Sequence, residues 1–282
     1  MKELRGAPVA AAITEQCRCE IEALKKKNIV PKLAVVRVGA REDDLAYERG
    51  IIKRFAQAGA VAEVVELPES AEQAELERTV VRLNGDGDTH GILVFRPLPA
   101  GLDEESIKRL ILPEKDIDGM SPVNAAAVFA GDGGGFVPCT PMAVMALLTF
   151  YGVELTGKKA VVVGRSMVVG KPLAMLLTAE NATVTLCHTK TRRLEEECRH
   201  ADILTVCAGR AKMIGADAVR PEQVVVDVGI NMDGDTLCGD VDYDAVKAIA
   251  AAVTPVPGGV GAVTTSVLLQ NTVRAAKQAA IR

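Results

Sequence analysis

The stretch Lys158-Lys159-Ala160-Val161-Val162-Val163-Gly164-Arg165-Ser166-Met167-Val168-Val169-Gly170-Lys171-Pro172 decides how this chain is read. Ala160 to Val163 is an uninterrupted apolar run, the pattern of a strand buried on both faces of a parallel sheet. Gly164 ends it, Ser166 is suited to cap a helix, and the residues from Gly170 onward have helical character. Strand, tight turn and helix in that order present backbone N–H groups and the positive end of a helix dipole to an anion. The glycines are spaced Gly-x5-Gly rather than Gly-x-Gly-x-x-Gly, so the turn taken alone also fits an ordinary strand-to-helix connection.

The next strand narrows the choice. Thr183 to Cys187 runs into His188-Thr189-Lys190-Thr191-Arg192, where a doubly wound dinucleotide domain places its ribose-reading residue. An Asp or Glu there would bind the ribose diol of NAD and repel a 2′-phosphate, whereas hydroxyls and cations do the reverse. Arg165 is able to reach the same corner, so the pattern favours NADP over NAD, with a solvated basic loop as the alternative.

At 282 residues the chain accommodates two domains and a large core. A charged fraction of 25% and a net charge of −4 carry no basic excess that would suggest nucleic acid. Apolar runs fall far short of a bilayer span, and the start MKELRGAPVAAAITEQ has only a brief apolar patch, so no membrane partner is expected and the setting reads as cytoplasmic. Seven cysteines without a CxxC pair fit reduced thiols better than a disulfide framework, and three histidines make a His-based metal centre improbable. No metal ligand is assigned.

Along the chain the period is β-α-β-α. A helix is expected over 9–27, a strand over 32–38, a helix capped by Asp43 or Asp44, a strand over 61–67, a helix over 71–84 and a strand over 90–95. Arg96-Pro97-Leu98-Pro99-Ala100-Gly101 then forms a rigid loop at a carboxyl end, where open α/β sheets place ligands. After a helix over 104–112 comes the charged loop Pro113-Glu114-Lys115-Asp116-Ile117-Asp118-Gly119, whose two acids lack the rest of a calcium loop. Thr140 and Pro141 read as N-cap and first-turn proline of an apolar helix, and the domain boundary is expected near them. Strands follow over 202–207, 223–228 and 251–254. The last meets Pro255-Val256-Pro257-Gly258-Gly259-Val260-Gly261, a stiff approach to bare backbone on which a flat ligand could lie, or a hinge. A helix over 264–281 ends the chain.

VGRSMVVGKP, CHTKT, PEKDIDG, PCTP, VDVGIN and TPVPGGVG occur together and in order. On these motifs the chain resembles, over nearly its whole length, the FolD family of bifunctional methylenetetrahydrofolate dehydrogenases and methenyltetrahydrofolate cyclohydrolases. The resemblance implies two α/β domains flanking a cleft: a folate-binding domain of residues 1–138 plus 265–282, and a Rossmann-like NADP-binding domain of residues 139–264. It further implies tetrahydrofolate one-carbon derivatives as substrates, a homodimer, and NADP at Gly164, Arg165, Ser166, Thr189 and Ile230. Tyr47 and Asp118 match catalytic positions, and Tyr47, Ile51, Val94, Phe95, Arg96, Asp118 and Pro257, Gly258, Gly259, Val260 and Gly261 match folate positions. A pterin offers N–H donors that Asp118 accepts, and a face on which Tyr47 stacks.

Two departures stand out. Where the family helix reads Tyr-x-x-x-Lys, this chain has Ile51, and where the family loop reads Val-Gln-Leu-Pro-Leu-Pro, it has Phe95 and Arg96. The missing lysine is the family's main candidate for activating the hydrolytic water, and the glutamine its partner. Lys53 is no substitute, because at about 100° per residue it lies about 120° around the helix from Tyr47, against about 40° for Ile51. Arg96 stays protonated and is no general base. Ala143 and Ala262-Val263 replace a family glycine and Pro-Met. The dehydrogenase is thus expected and the cyclohydrolase placed in doubt; a folate- and NADP-binding protein without catalysis, or a shikimate-dehydrogenase-like enzyme, are the alternatives.

Overall fold

The structure is a computed structural model that describes residues 1–281. In chain order the elements are β1 (Lys2–Glu3), α1 (Gly6–Lys25), β2 (Lys32–Val38), α2 (Glu42–Ala58), β3 (Val61–Leu67), α3 (Gln73–Gly85), β4 (Gly91–Val94), α4 (Glu104–Leu110), α5 (Pro122–Ala130) and α6 (Cys139–Phe150). They continue with β5 (Lys159–Val163), α7 (Gly170–Ala179), β6 (Thr183–Cys187), α8 (Leu194–Arg199), β7 (Ile203–Val206), β8 (Val224–Asp227), β9 (Asn231–Asp233), β10 (Thr236–Cys238), α9 (Tyr243–Lys247), β11 (Ala252–Val253) and α10 (Gly261–Ala279).

The chain divides into two compact units, one of Ala11–Val137 with the residues from Thr265 onward, the other of Met1–Ala10 with Pro138–Thr264. The first unit holds a parallel three-stranded sheet in the order β3-β2-β4. β2 is central, and its residues from Leu33 to Val38 are all buried, which is why its sequence is a continuous apolar run broken only by Arg37. β3 is an edge strand and carries two exposed glutamates, Glu63 and Glu66. Arg37 survives burial because Glu48 on α2 and Glu66 on β3 each lie 2.8 Å from its guanidinium. That pair fixes α2 against the sheet.

The second unit holds a six-stranded sheet in the order β6-β5-β7-β8-β11-β1, every pairing parallel. Strand order reverses at β5, whose neighbours are β6 and β7. In open α/β sheets the crevice outside the carboxyl ends at such a reversal is where ligands bind. Val161, Val163, Leu204, Val206 and Val225 pack with residues of α8 and α9 in one apolar cluster.

Several local expectations are corrected. Residues 1–10 were expected with the first domain, but β1 pairs with β11 and Gly6 N donates to Gly258 O at 2.8 Å, both within the second unit. A two-residue strand has no periodicity to read. The hairpin of β9 and β10 was likewise not anticipated. Arg41, not Asp43 or Asp44, occupies the N-cap of α2, and Pro138, not Thr140, that of α6. Ser166 is not the N-cap residue of α7; Val169 is, and the Ser166 hydroxyl accepts from Val169 N at 3.1 Å. α10 begins at Gly261, so the glycine-rich loop runs directly into the helix.

Candidate functional site

In the first unit Tyr47 and Ile51 lie one turn apart on α2, Val94 ends β4, Phe95 and Arg96 follow it, and Asp118 lies between α4 and α5. The structure brings Tyr47 and Phe95 together, with ring centroids 5.6 Å apart and planes tilted by 35°. Tyr47 keeps part of its surface open, while Ile51 is 0% and Phe95 6% exposed. Lys53 is exposed. The positions where the resemblance implies a lysine and a glutamine are therefore part of an apolar interior.

Arg96 is held at both ends. Its carbonyl accepts from Arg41 Nη2 at 3.2 Å, while its guanidinium lies 3.4 Å from Asp118 and 3.6 Å from Glu104. Glu104 in turn takes Lys108 Nζ at 2.8 Å. Asp118 thus has a permanent cation beside it, which sequence spacing alone did not show.

The loop carrying Asp118 is fixed from below by residues whose role composition did not suggest. Asp116 is wholly buried and accepts from Met120 N at 3.0 Å, Ser121 N at 2.7 Å and Asn124 Nδ2 at 2.8 Å. Asn271 on α10 donates to Ile117 O at 2.8 Å, and Ile92 N to Lys115 O at 2.8 Å. Lys115 Nζ closes the end of α3, donating to the carbonyls of Leu83, Asn84 and Asp86. Burial pushes that ammonium below its ordinary range.

In the second unit every expected cofactor residue lies at the carboxyl edge of the sheet. Gly164, Arg165 and Ser166 follow β5, Thr189 follows β6, and Ile230 follows β8. Gly164 N donates to Cys187 O at 2.9 Å, which puts the ends of β5 and β6 side by side. A Cβ on Gly164 would stand 2.3 Å from Cys207 O, and one on Gly170 2.0 Å from Gly164 O. Only glycine allows this fold of the turn, and it leaves main chain bare for an anion. Arg165, Ser166, Thr189 and Lys190 are exposed, and residues 164–170 and 188–193 contain no carboxylate. A phosphorylated ribose fits this donor set better than a free diol. His188 N donates to Thr191 Oγ1 at 2.8 Å and so shapes the loop that carries Thr189. Burial pushes the Cys207 thiol up to about 12, so it is not a nucleophile at neutral pH.

A cavity of about 310 Å³ opens between the loop after β8 and the loop after β11, lined among others by Ile230, Leu237, Pro257, Gly259 and Gly261. Ile230 is 64% exposed. A residue expected on the cofactor and a loop expected on folate thus wall one cavity of one unit. Sequence reading missed two buried acids here: Asp227, which lines the cavity, and Asp240, which lies against Gly229 of its wall. Their flanking glycines are the available signal: a Cβ on Gly229 would strike Asp240 at 2.2 Å, and one on Gly239 would strike Asp227 at 1.8 Å.

The tetrahydrofolate dehydrogenase/cyclohydrolase catalytic-domain profile matches residues 4–118, and the NAD(P)-binding-domain profile of the same family matches residues 138–280. A bifunctional protein FolD from Carboxydothermus hydrogenoformans is 52% identical over 97% of this chain and 96% of its own. The crystal structure of the bifunctional FolD methylenetetrahydrofolate dehydrogenase/cyclohydrolase from Campylobacter jejuni superposes with a TM-score of 0.96 at 40% identity, covering 99% of each chain. The Trypanosoma brucei dehydrogenase-cyclohydrolase, solved with NADP cofactor and an inhibitor, gives 0.93 at 38% identity over 99% of this chain and 97% of its own. By both profiles and by identity over nearly its full length, the chain belongs to the tetrahydrofolate dehydrogenase/cyclohydrolase family, FolD.

Proposed function

We propose that the protein oxidises 5,10-methylenetetrahydrofolate to 5,10-methenyltetrahydrofolate with NADP, and that its cyclohydrolase activity is weak for a member of this family. NADP, when bound, supplies the hydride acceptor. The hydride leaves the one-carbon bridge with its electron pair, so no protein base is needed for the transferred atom, and the protein's task is to hold two rings in register. Gly164, Arg165, Ser166 and Thr189 would hold the phosphates and adenine ribose of NADP, and Ile230 would lie against its other half. Tyr47 stacks on the pterin and Asp118 accepts from its N–H donors, with Arg96 holding the Asp118 carboxylate in place. The Pro257 to Gly261 loop presents bare backbone to the folate.

The observation that carries the reading is the cavity walled jointly by Ile230 and the glycine loop, with the 2′-phosphate corner on the same sheet edge. Hydrolysis of the methenyl product is different, because water must be activated as it attacks. Ile51 and Phe95 leave no ionisable side chain at the two positions where the family resemblance implies one and its partner. Mixing the protein with methylenetetrahydrofolate and NADP and following reduced cofactor tests the dehydrogenase directly. No turnover with clear binding of both ligands would favour a catalytically silent folate-binding protein. A folate-binding role for the first unit and an NADP-binding role for the second, a homodimer and a cytoplasmic setting belong to the same reading, and sedimentation of the purified protein checks the dimer.

A further inference from the structure

Against Gly229, in the wall of the 310 Å³ cavity, one side chain gathers the segments that follow three strands. Asp240, with no exposure to solvent, follows the β9–β10 hairpin. Its Oδ2 accepts from Ala208 N at 2.6 Å and Gly209 N at 3.0 Å, both in the loop after β7. Its Oδ1 accepts from Arg210 N at 2.7 Å and from Asn231 Nδ2 at 2.9 Å, the latter the first residue of β9, directly after the loop that follows β8. Its own backbone is fixed from the other side, where Ile214 N donates to Asp240 O at 3.1 Å. Asp227 completes the arrangement by accepting from Gly229 N, Asp240 N and Val241 N at 3.1, 3.0 and 3.0 Å.

This geometry is directional. A carboxylate is acceptor-only, so it satisfies several converging N–H donors at once; an amide in its place presents two donors of its own to them. The loops it joins are those after β7 and β8, on the far side of β5 from the ribose-reading end of β6. A dinucleotide whose 2′-phosphate lies beyond β6 and whose pyrophosphate lies at the Gly164 to Gly170 turn extends its other half over these loops.

We propose that Asp240 is a positioning residue for the nicotinamide half of the cofactor, clamping the loops after β7 and β8 so that the ring is held at the angle hydride transfer needs. The inference rests on the NADP reading above. Its consequence is an asymmetry: removing the clamp misplaces the nicotinamide and leaves the adenine half, held by β5 and β6, undisturbed. A displacement of about 1 Å at the reacting ring costs on the order of 10²-fold in rate.

The test compares wild type, Asp240→Asn and Asn231→Ala in steady-state oxidation of methylenetetrahydrofolate, alongside calorimetric titration with adenosine 2′,5′-bisphosphate, which carries only the adenine half. Asp240→Asn is expected to lose about 10²-fold in kcat while its Kd for the bisphosphate stays within about twofold of wild type. Asn231→Ala, which deletes one of the four donors to Asp240, is expected to lose kcat several-fold in the same pattern, and it decides the matter if Asp240→Asn does not fold. Unchanged kcat in the folded variants, or equal losses of kcat and bisphosphate affinity, overturns the proposal. Absence of NADP-dependent turnover in wild type would instead overturn the functional reading beneath it.

Discussion

Replacing Ile51 by Lys and Phe95 by Gln together reinstates the pair that the family resemblance implies, at positions that are 0% and 6% exposed. Each change alone is costly. Ile51→Lys forfeits about 1.5–3 kcal/mol of apolar burial and leaves a buried ammonium without a partner, for which about 3–5 kcal/mol is the usual scale. Phe95→Gln loses the ring contact with Tyr47, about 0.5–1.5 kcal/mol beyond its burial, and strands an amide. In the double variant the amide oxygen accepts from the ammonium, so the two losses should be less than additive by about 0.5–3 kcal/mol. General acid–base assistance contributes on the order of 10² to 10⁴ in rate, which sets the expected gain in methenyltetrahydrofolate hydrolysis. Dehydrogenase activity, which moves no proton, should stay within about tenfold of wild type. Decay of methenyltetrahydrofolate, corrected for the uncatalysed rate, is followed for all four proteins with thermal melts alongside. Robust hydrolysis by wild type that a folded double variant fails to improve would show that Ile51 and Phe95 do not limit the cyclohydrolase.

Arg165→Ala should raise KM for NADP about ten- to hundredfold, the worth of a charge-assisted contact, and leave KM for NAD nearly unchanged; equal losses with both would remove Arg165 from the 2′-phosphate corner. Asp118→Asn should weaken folate binding, because the amide turns donors toward the pterin's own N–H groups, while NADP titration stays normal. Asp116→Ala should lower stability by about 3 kcal/mol or more in a thermal or denaturant melt, since three donors lose a buried acceptor. Burial pushes the Asp227 carboxyl up to about 7, against the pull of three backbone N–H donors and with Asp240 adding to the rise. The folded protein therefore holds a proton that the unfolded chain releases near pH 4, so this contribution is full below about pH 4 and is lost as pH rises through about 7. The stability of wild type relative to Asp227→Asn should fall between about pH 5 and pH 7 on a series of melts, and a pH-independent difference would contradict it.

Features that local chemistry encodes can be read along the chain. β2 and β5 were legible within a residue because buried parallel strands are continuous apolar runs and their ends are marked by glycine. The phosphate turn and its cationic ribose corner were legible for the same reason: Gly164, Arg165, Ser166 and Thr189 stand within one β-α-β unit, where spacing along the chain is spacing in space. The departures at Ile51 and Phe95 were readable too, as residues out of pattern. Other features arise from contacts between distant parts of the chain. That Phe95 packs on Tyr47, that Arg96 turns to Asp118, and that β1 joins the sheet of the second unit each depend on partners tens to hundreds of residues away. Asp116, Asp227 and Asp240 look in sequence like solvated loop acids. Their burial follows from backbone N–H groups converging from separate loops, an arrangement that no local window of sequence contains.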